Sequence, residues 1–467
     1  MTVIIFVVAA LLAPASADIA QADTPRALTI VGHGWGHGRG MGQWGARGMA
    51  ERGYAWTSIL KHYYSNVRLA RTRGATVRVL LERRSSFIVT SHRPYRATAG
   101  RRIVATRDRH RPYMRVRARD GVTYVDRGRS SGGPWVLAGR TRATTIAFGN
   151  GSSLMRVHRG SHIRWYRGSI RGVRYADRFM ILNHLGLDAY LFAVVPREMP
   201  ARWPSAALKA QSVAARTYAV RVLQHARSRR ASFDICATTA CQVYGGYARR
   251  HRGRMQVIEH PRTNSAVRAT RGYVLTHRSR AILAEYSSST GGWTTYGGAA
   301  YMRPVKDPYD RVSPHHRWKT TVTSAVIEER WPSLGALRDA DVVSRTRRFA
   351  EGGRTRVVRL IGSRRTIRVS GDAFRRAAGL RSTWFAITDV KSASRYRFTR
   401  NMGYGMRHSA VAELQRRLRS GGYFPRTQRV TTYYGRLTRA AVVRYQRAQR
   451  ISATGYLGPQ TRRALNG

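Results

Sequence analysis

Acidic side chains are scarce in this chain. Asp and Glu together number 23 against 85 Lys and Arg, a formal net charge of +62. Lysine is scarcer still. Only Lys61, Lys209, Lys306, Lys319 and Lys391 occur, so the positive charge is almost wholly guanidinium. There are two cysteines, Cys236 and Cys241, which rules out a disulfide framework as the basis of the fold. No run approaches the roughly 18 apolar residues of a membrane-spanning helix.

Apolar material is nonetheless sufficient. Hydrophobic residues make up 42% and aromatics 10% of 467 residues, enough to bury cores in two to four domains, which excludes global disorder. A surface this basic must meet something anionic: nucleic acid, acidic wall polymers or lipid head groups. The excess is not confined to a tail. Residues 401–467 carry 13 Arg against Glu413 alone, and the rest of the chain is just as one-sided. Charge spread over every domain fits adaptation to an environment, or codon bias, better than a DNA-reading patch. No zinc-finger or aromatic RNA-reading motif accompanies it, so no specific nucleic-acid partner is expected.

The N-terminus holds an apolar run, Val3 to Leu12, then Ala15-Ser16-Ala17 before Asp18. This is the pattern of a secretory signal over residues 1–17 and implies a secreted protein, although no Lys or Arg precedes the run. A buried N-terminal helix is the alternative. A strand-like run, Ala27 to Val31, leads into a glycine-rich stretch, Gly32 to Gly48, and then a helical reading to Tyr64. From about residue 76 to 183, short β-type runs alternate with turns such as Asp120-Gly121 and Gly132-Gly133, which reads as a β-rich lobe. An apolar segment, Asp188 to Val195, enters a proline-bounded loop, Pro196 to Pro204. An Ala-rich helix follows, to about Ala226. Mixed α and β structure continues to about Val390. Residues 391–408 read as a linker, and 409–467 as a small unit of three helices. The fold class expected is α+β.

Five segments carry candidate chemistry. Gly36 to Ala46 is dense in glycine, which lets backbone approach a ligand and brings His37 and Gln43 to it. Its formal G-x-G-x-x-G match is discounted as a dinucleotide site, because no βαβ repeat or later acidic residue follows. Within Val194 to Pro204 a single carboxylate, Glu198, sits among Val194, Val195, Met199 and Trp203. Desolvation there would raise its pKa and suit a general acid; a surface pair with Arg197 or Arg202 is the plainer alternative. The following helix presents Lys209, Gln211, Arg216 and Tyr218, which as a solvated basic face would need no function. Cys236 and Cys241 are open to a disulfide, to free thiols or to half of a zinc site that His225, His251 or His260 would have to complete. Glu285 to Thr294 supplies hydroxyls, including Ser288 and Ser289, as a sugar-binding loop needs, or forms an ordinary turn.

Taken together, "YLFAVVPREMPARWPSAALKAQSVAARTYAV" (190–220), "DICATTACQVYGG" (234–246), "AVRATRGYVL" (266–275) and "YMRPVKDPYD" (301–310) resemble the stage II sporulation protein D / LytB family of bacterial wall proteins. "AVAELQRRLRSGGYF" and the stretch from Tyr433 to Leu465 resemble a small peptidoglycan-binding domain. The first resemblance spans most of residues 24–390. It implies a wall-associated lytic transglycosylase on glycan strands, with Glu198 catalytic and Arg216 also important, as a substrate clamp or a loop anchor. It further implies a substrate held by Arg216, His37, Gln43, Gln211, Gln242, Ser288 and Ser289. Peptidoglycan strands, anionic wall polymers and a cell-wall amidase are the partners implied, and no cofactor. The LytB name also implies a non-catalytic amidase activator as the alternative. Two departures stand out. The Gly-His-Gly-x-Gly-Met motif lies here at 36–41, although in the sporulation protein it lies near the C-terminal end. This suggests that the N-terminal segment docks beside the catalytic lobe. Ala240 stands where some zinc-containing members have His. No second acidic residue is expected near Glu198, Asp188 being the nearest upstream.

Overall fold

Alternation decides the first lobe. Buried Val77 and Val79, Phe87 and Val89, Met114 and Val116, and Ile146 and Phe148 each lie two apart on their strands, so each strand turns one face inward. The computed structural model describes residues 26–149, 154–238, 240–392, 396–425 and 428–466, and the signal segment expected over 1–17 lies outside them. The strands between Thr76 and Gly186 supply six members each to an eight-stranded and a seven-stranded sheet that share one core, and Ile235–Cys236 completes the seven-stranded one. Two late strands, Ala248–His251 and Arg254–Val257, extend the eight-stranded sheet at one edge. Their Arg-rich sequence shows no alternation, so the expected β-rich region stopped short of them. Strand (36%) and helix (28%) are both substantial, which makes the class α+β.

The single helix expected from Gly48 to Tyr64 is two, α1 (Gln43–Ala50) and α2 (Trp56–Tyr63), separated by a turn in which Gly53 takes φ +82. The proline-bounded loop is also shorter than expected. Helix α3 (Leu187–Glu198) continues through Pro196 and ends on Glu198 itself. Proline is tolerated there because the helix has one turn left to run, and Met199 N–H still reaches the Val195 carbonyl at 2.9 Å. Helix α4 (Ser205–Ser228) lies against α3 and against α5 (Pro261–Ala269). Its buried Ala207, Ala210, Ala214 and Ala215 permit that close approach. Among the described residues, no helix is long and apolar enough to cross a membrane.

A third core was not foreseen as separate. Strand Arg26–His33 runs antiparallel between Arg317–Thr323 and Phe385–Ser392. Leu28 and Ile30 of that strand join a cluster with helices α6 (Ser324–Arg330) and α7 (Gly371–Ala377) and the sheet of Leu337–Arg345, Thr355–Gly362 and Thr366–Ser370. The tail holds α8 (Ser409–Ser420), α9 (Arg436–Ala448) and α10 (Pro459–Asn466) around Val411, Leu414, Val442 and Leu465. The expected linker 391–408 is narrower than its composition suggested. Phe398 and Met402 belong to the tail's core, and Met402 and Leu457 exchange backbone bonds at 3.0 and 2.8 Å.

Candidate functional site

A cleft of about 690 Å³ opens where α3, α4, the Cys236–Cys241 loop and the glycine-rich segment meet. Glu198 lines it, from the last residue of α3. Burial raises the Glu198 pKa above the ordinary carboxylate value, opposed by the Val243 N–H, which donates to Oε1 at 3.1 Å, and by Arg197. The partial negative charge at the end of α3 adds to the penalty on the ionised form. One good donor and strong desolvation together describe a carboxyl kept available as an acid.

The glycine-rich segment forms the facing wall. Met41–Gly42 pairs in parallel with Tyr286–Ser287, and Trp35 bridges Ser289. Gly40 sits at φ +64 with its missing Cβ aimed at the Glu285 carbonyl, so any side chain there would drive the two walls apart. Gly45 faces Tyr63 and the buried carboxyl of Asp307 with no room for a Cβ. The N-terminal segment therefore docks beside the lobe that carries Glu198, as the displaced motif suggested.

Each residue expected to hold substrate can now be placed. His37 lines the cleft, its pKa pushed down to about 4 mainly by burial and by Arg39. Its Nδ1 accepts the Arg39 N–H at 3.0 Å, so the proton sits on Nε2. Gln43 reaches across and donates to the Glu198 carbonyl at 2.9 Å and to Gln211 Oε1 at 3.3 Å. Gln211 is fully enclosed and supports Gln43 from behind instead of facing the cleft. Gln242 lines the cleft but is locked: Tyr190 donates to its Oε1 at 3.0 Å, and its Nε2 donates to the Tyr286 hydroxyl at 3.0 Å. Ser288 lines the cleft. Ser289 does not; it is buried and donates to Asp310 Oδ2 at 2.8 Å.

Arg216 is also not at the cleft. It is 0% exposed, and its guanidinium donates to the carbonyls of Thr270 (2.7 Å) and Val267 (3.0 Å) and to Asp188 Oδ1 (3.1 Å). It closes the carbonyl end of α5 and ties it to the first turn of α3. The face shared with Lys209 misled the sequence reading, because α4 is enclosed on nearly all sides.

Sequence reasoning missed four residues that the fold brings here: Trp35, 47% exposed at the lip, and Arg39, Glu285 and Tyr286. Glu285 is the second carboxylate that was not expected. Arg39 grips it with two hydrogen bonds, Nε to Oε2 at 2.7 Å and Nη2 to Oε1 at 2.6 Å. The signal was present, since the scarcity of acids that singled out Glu198 applies equally to Glu285.

Cys236 and Cys241 are joined by a disulfide beside this cleft, and Cys241 lines it. Among the described residues, no three His, Cys, Asp or Glu side chains gather as a metal site would need.

Behind the wall, Asp307 accepts from the Tyr63 hydroxyl (2.9 Å) and from Thr290 Oγ1 (2.8 Å), while its Oδ1 has no partner. Burial and the neighbouring Asp310 push its pKa up to about 7. In the unfolded chain it would lose its proton near pH 4. Between those values only the folded state holds the proton, so this stabilisation is full below pH 4 and is withdrawn as pH rises to 7. Asp307→Asn should remove that dependence. Denaturant titrations at pH 4 and pH 8 are expected to show the variant gaining up to about 4 kcal/mol relative to the parent across that interval. His33, His37 and His158, all held near pKa 4, titrate alike in both proteins and cancel. A flat difference between the two proteins would show that Asp307 is ionised throughout.

With the geometry in place, comparisons with known proteins give it a setting. Residues 175–277 match the family described as Stage II sporulation protein, and residues 407–465 match a peptidoglycan binding domain. The chain is 36% identical over 145 residues to a Bacillus subtilis protein named Amidase enhancer, covering 30% of this chain and 18% of that one. It is 30% identical over 159 residues to Stage II sporulation protein D of Bacillus subtilis, covering 32% and 46%. With Stage II sporulation protein D of Bacillus amyloliquefaciens it shares 28% identity over 215 residues, covering 44% and 60%. The chain thus spans less than two thirds of the length of each of these relatives. Glu198, the helix α4 behind it and the disulfide loop all fall inside the first match. The chain therefore carries a stage II sporulation protein domain joined to a C-terminal peptidoglycan binding domain.

Proposed function

We propose that this is a secreted, wall-associated lytic transglycosylase that cuts peptidoglycan glycan strands, with its tail gripping the wall. The observation that carries the reading is Glu198: a desolvated carboxyl with a raised pKa, facing a cleft roomy enough for sugar rings. An exposed Trp35 at the lip offers a plane on which a pyranose can stack. Glu198 gives its proton to the glycosidic oxygen as the bond from the anomeric carbon breaks. The resulting carboxylate takes the proton of the muramyl 6-hydroxyl, whose oxygen bonds to the anomeric carbon. One carboxyl is restored, one C–O bond is exchanged for another, and a 1,6-anhydro end forms without water.

Glu285 makes hydrolysis the natural competitor, because hydrolases use two carboxylates. Arg39 engages both oxygens of Glu285, which leaves it poorly placed to activate water. Digestion of purified strands followed by mass spectrometry of the ends is expected to show anhydro termini. It should also show that Glu285→Gln cuts within about tenfold of the parent. Reducing ends, lost in that variant, would assign the chain to the hydrolases.

A second reading follows from the relative named Amidase enhancer. In it the cleft binds strands without cutting, and the protein stimulates an amidase. Release of fragments by the purified protein alone excludes that reading.

A further inference from the structure

The strand Ala248–His251, which extends the eight-stranded sheet, brings Arg249 to the neighbourhood of Arg197, the residue before Glu198. Arg164 and Arg249 sit directly opposite each other across their strands, so their side chains leave the same face of the sheet. Arg197 occupies the last turn of α3, one residue before Glu198, and packs on Gly245, whose missing Cβ would lie 3.5 Å from Arg197 Cδ. Gly245 in turn follows two residues after Val243, the donor to Glu198. All three guanidinium-bearing residues are exposed.

Elsewhere around this region arginines meet acids: Arg39 with Glu285, Arg167 with Glu259, and Arg78 with Asp234. These three do not. Among the described residues none of them has a carboxylate within ion-pair reach, and Arg249 is oriented instead by the amide oxygen of Gln256 at 2.8 Å. They are also near enough to disturb one another. Burial, and after it repulsion from Arg249 and Arg164, holds the Arg197 pKa below its ordinary value. Three guanidinium groups with only the Glu198 carboxyl near one of them, and another oriented by a neutral amide, suit a planar anion brought by the ligand.

We propose that Arg164, Arg197 and Arg249 form a carboxylate-binding subsite beside the Glu198 cleft, which holds an acidic group carried by the glycan strand and so sets the register of the bond presented to Glu198. The proposal rests on the glycan-cutting reading and names what that site would recognise. The carboxylate has two sources, the lactyl group of a peptide-free muramyl residue or the carboxyls of an attached peptide.

The test separates the two readings by measuring binding in the Glu198→Gln protein, which cannot act as the acid, and cutting in the parent. Calorimetry would use peptide-free strands and peptide-bearing strands, each native and with its carboxylates converted to methylamides. Native strands of at least one kind should bind about tenfold more tightly than their amidated form, and the kind that does names the source. Adding Arg164→Gln and Arg249→Gln should reduce that ratio to about two, whereas the charge-matched Arg101→Gln/Arg102→Gln pair, exposed at the edge of the other sheet, should leave it unchanged. An equal fall in both charge variants, or no discrimination by the protein lacking only Glu198, overturns the subsite. Discrimination that persists in a parent unable to cut overturns the lytic reading and leaves the subsite standing.

Discussion

Glu198→Gln should reduce release of glycan fragments by about 10²- to 10⁴-fold, the usual worth of a positioned general acid. Folding should be spared. The glutamine oxygen can still accept the Val243 N–H, and the neutral amide avoids the desolvation that the carboxylate suffers. Thermal scans of the variant are therefore expected to match or slightly exceed the parent. The same chemistry sets the pH profile. The group must be protonated to act, and burial raises its pKa, so the rate should hold to higher pH than an ordinary carboxyl would allow and decline as pH passes that raised pKa. A variant within tenfold of the parent would remove Glu198 from the acid role and with it the transglycosylase reading.

The second large effect concerns Arg216, where the geometry favours the loop anchor over the substrate clamp. A substrate clamp would lose affinity on truncation and keep its fold. The geometry points instead to stability. Arg216→Ala would leave the buried carbonyls of Val267 and Thr270 without this donor and take from Asp188 one of its two arginine partners, Arg271 remaining at 3.1 Å; each buried acceptor left unpaired costs about 1–3 kcal/mol. The chain has several cores, so the loss should appear as one early transition in calorimetry, while the tail unfolds as before. Arg216→Lys should recover little, because an ammonium cannot span acceptors on two helices with a planar fork. An unchanged first transition with a raised KM would restore the clamp.

Arg216, left open between clamp and anchor, shows where sequence reading runs out. Spacing correctly put Lys209 and Arg216 on one face of α4. Whether that face meets water or protein depends on α3 and α5, which arrive from elsewhere in the chain. Glu198 was legible because an isolated acid in an apolar, proline-stiffened segment is conspicuous even before its neighbours are known. Glu285 was not, because its meaning lies in Arg39, 246 residues away. The β-rich lobe announced itself through short β-type runs set between turn signals such as Asp120-Gly121 and Gly132-Gly133. Its last two strands, made largely of exposed side chains, had no apolar face to announce. The separate third core escaped for a related reason. Its central strand, Arg26–His33, lies at the opposite end of the chain from most of its partners.

That last feature constrains how the molecule comes into being. Residues 26–33 must wait during synthesis for neighbours near positions 320 and 388, and the wall that follows them completes the cleft around Glu198. Nascent chains released short of those neighbours can hold the β-rich lobe yet lack the docked N-terminal wall. Closing so long a loop is entropically slow. Completion of the cleft is thus a late event in folding, one that needs residues near 320 and 388 as well as the helix that carries Glu198.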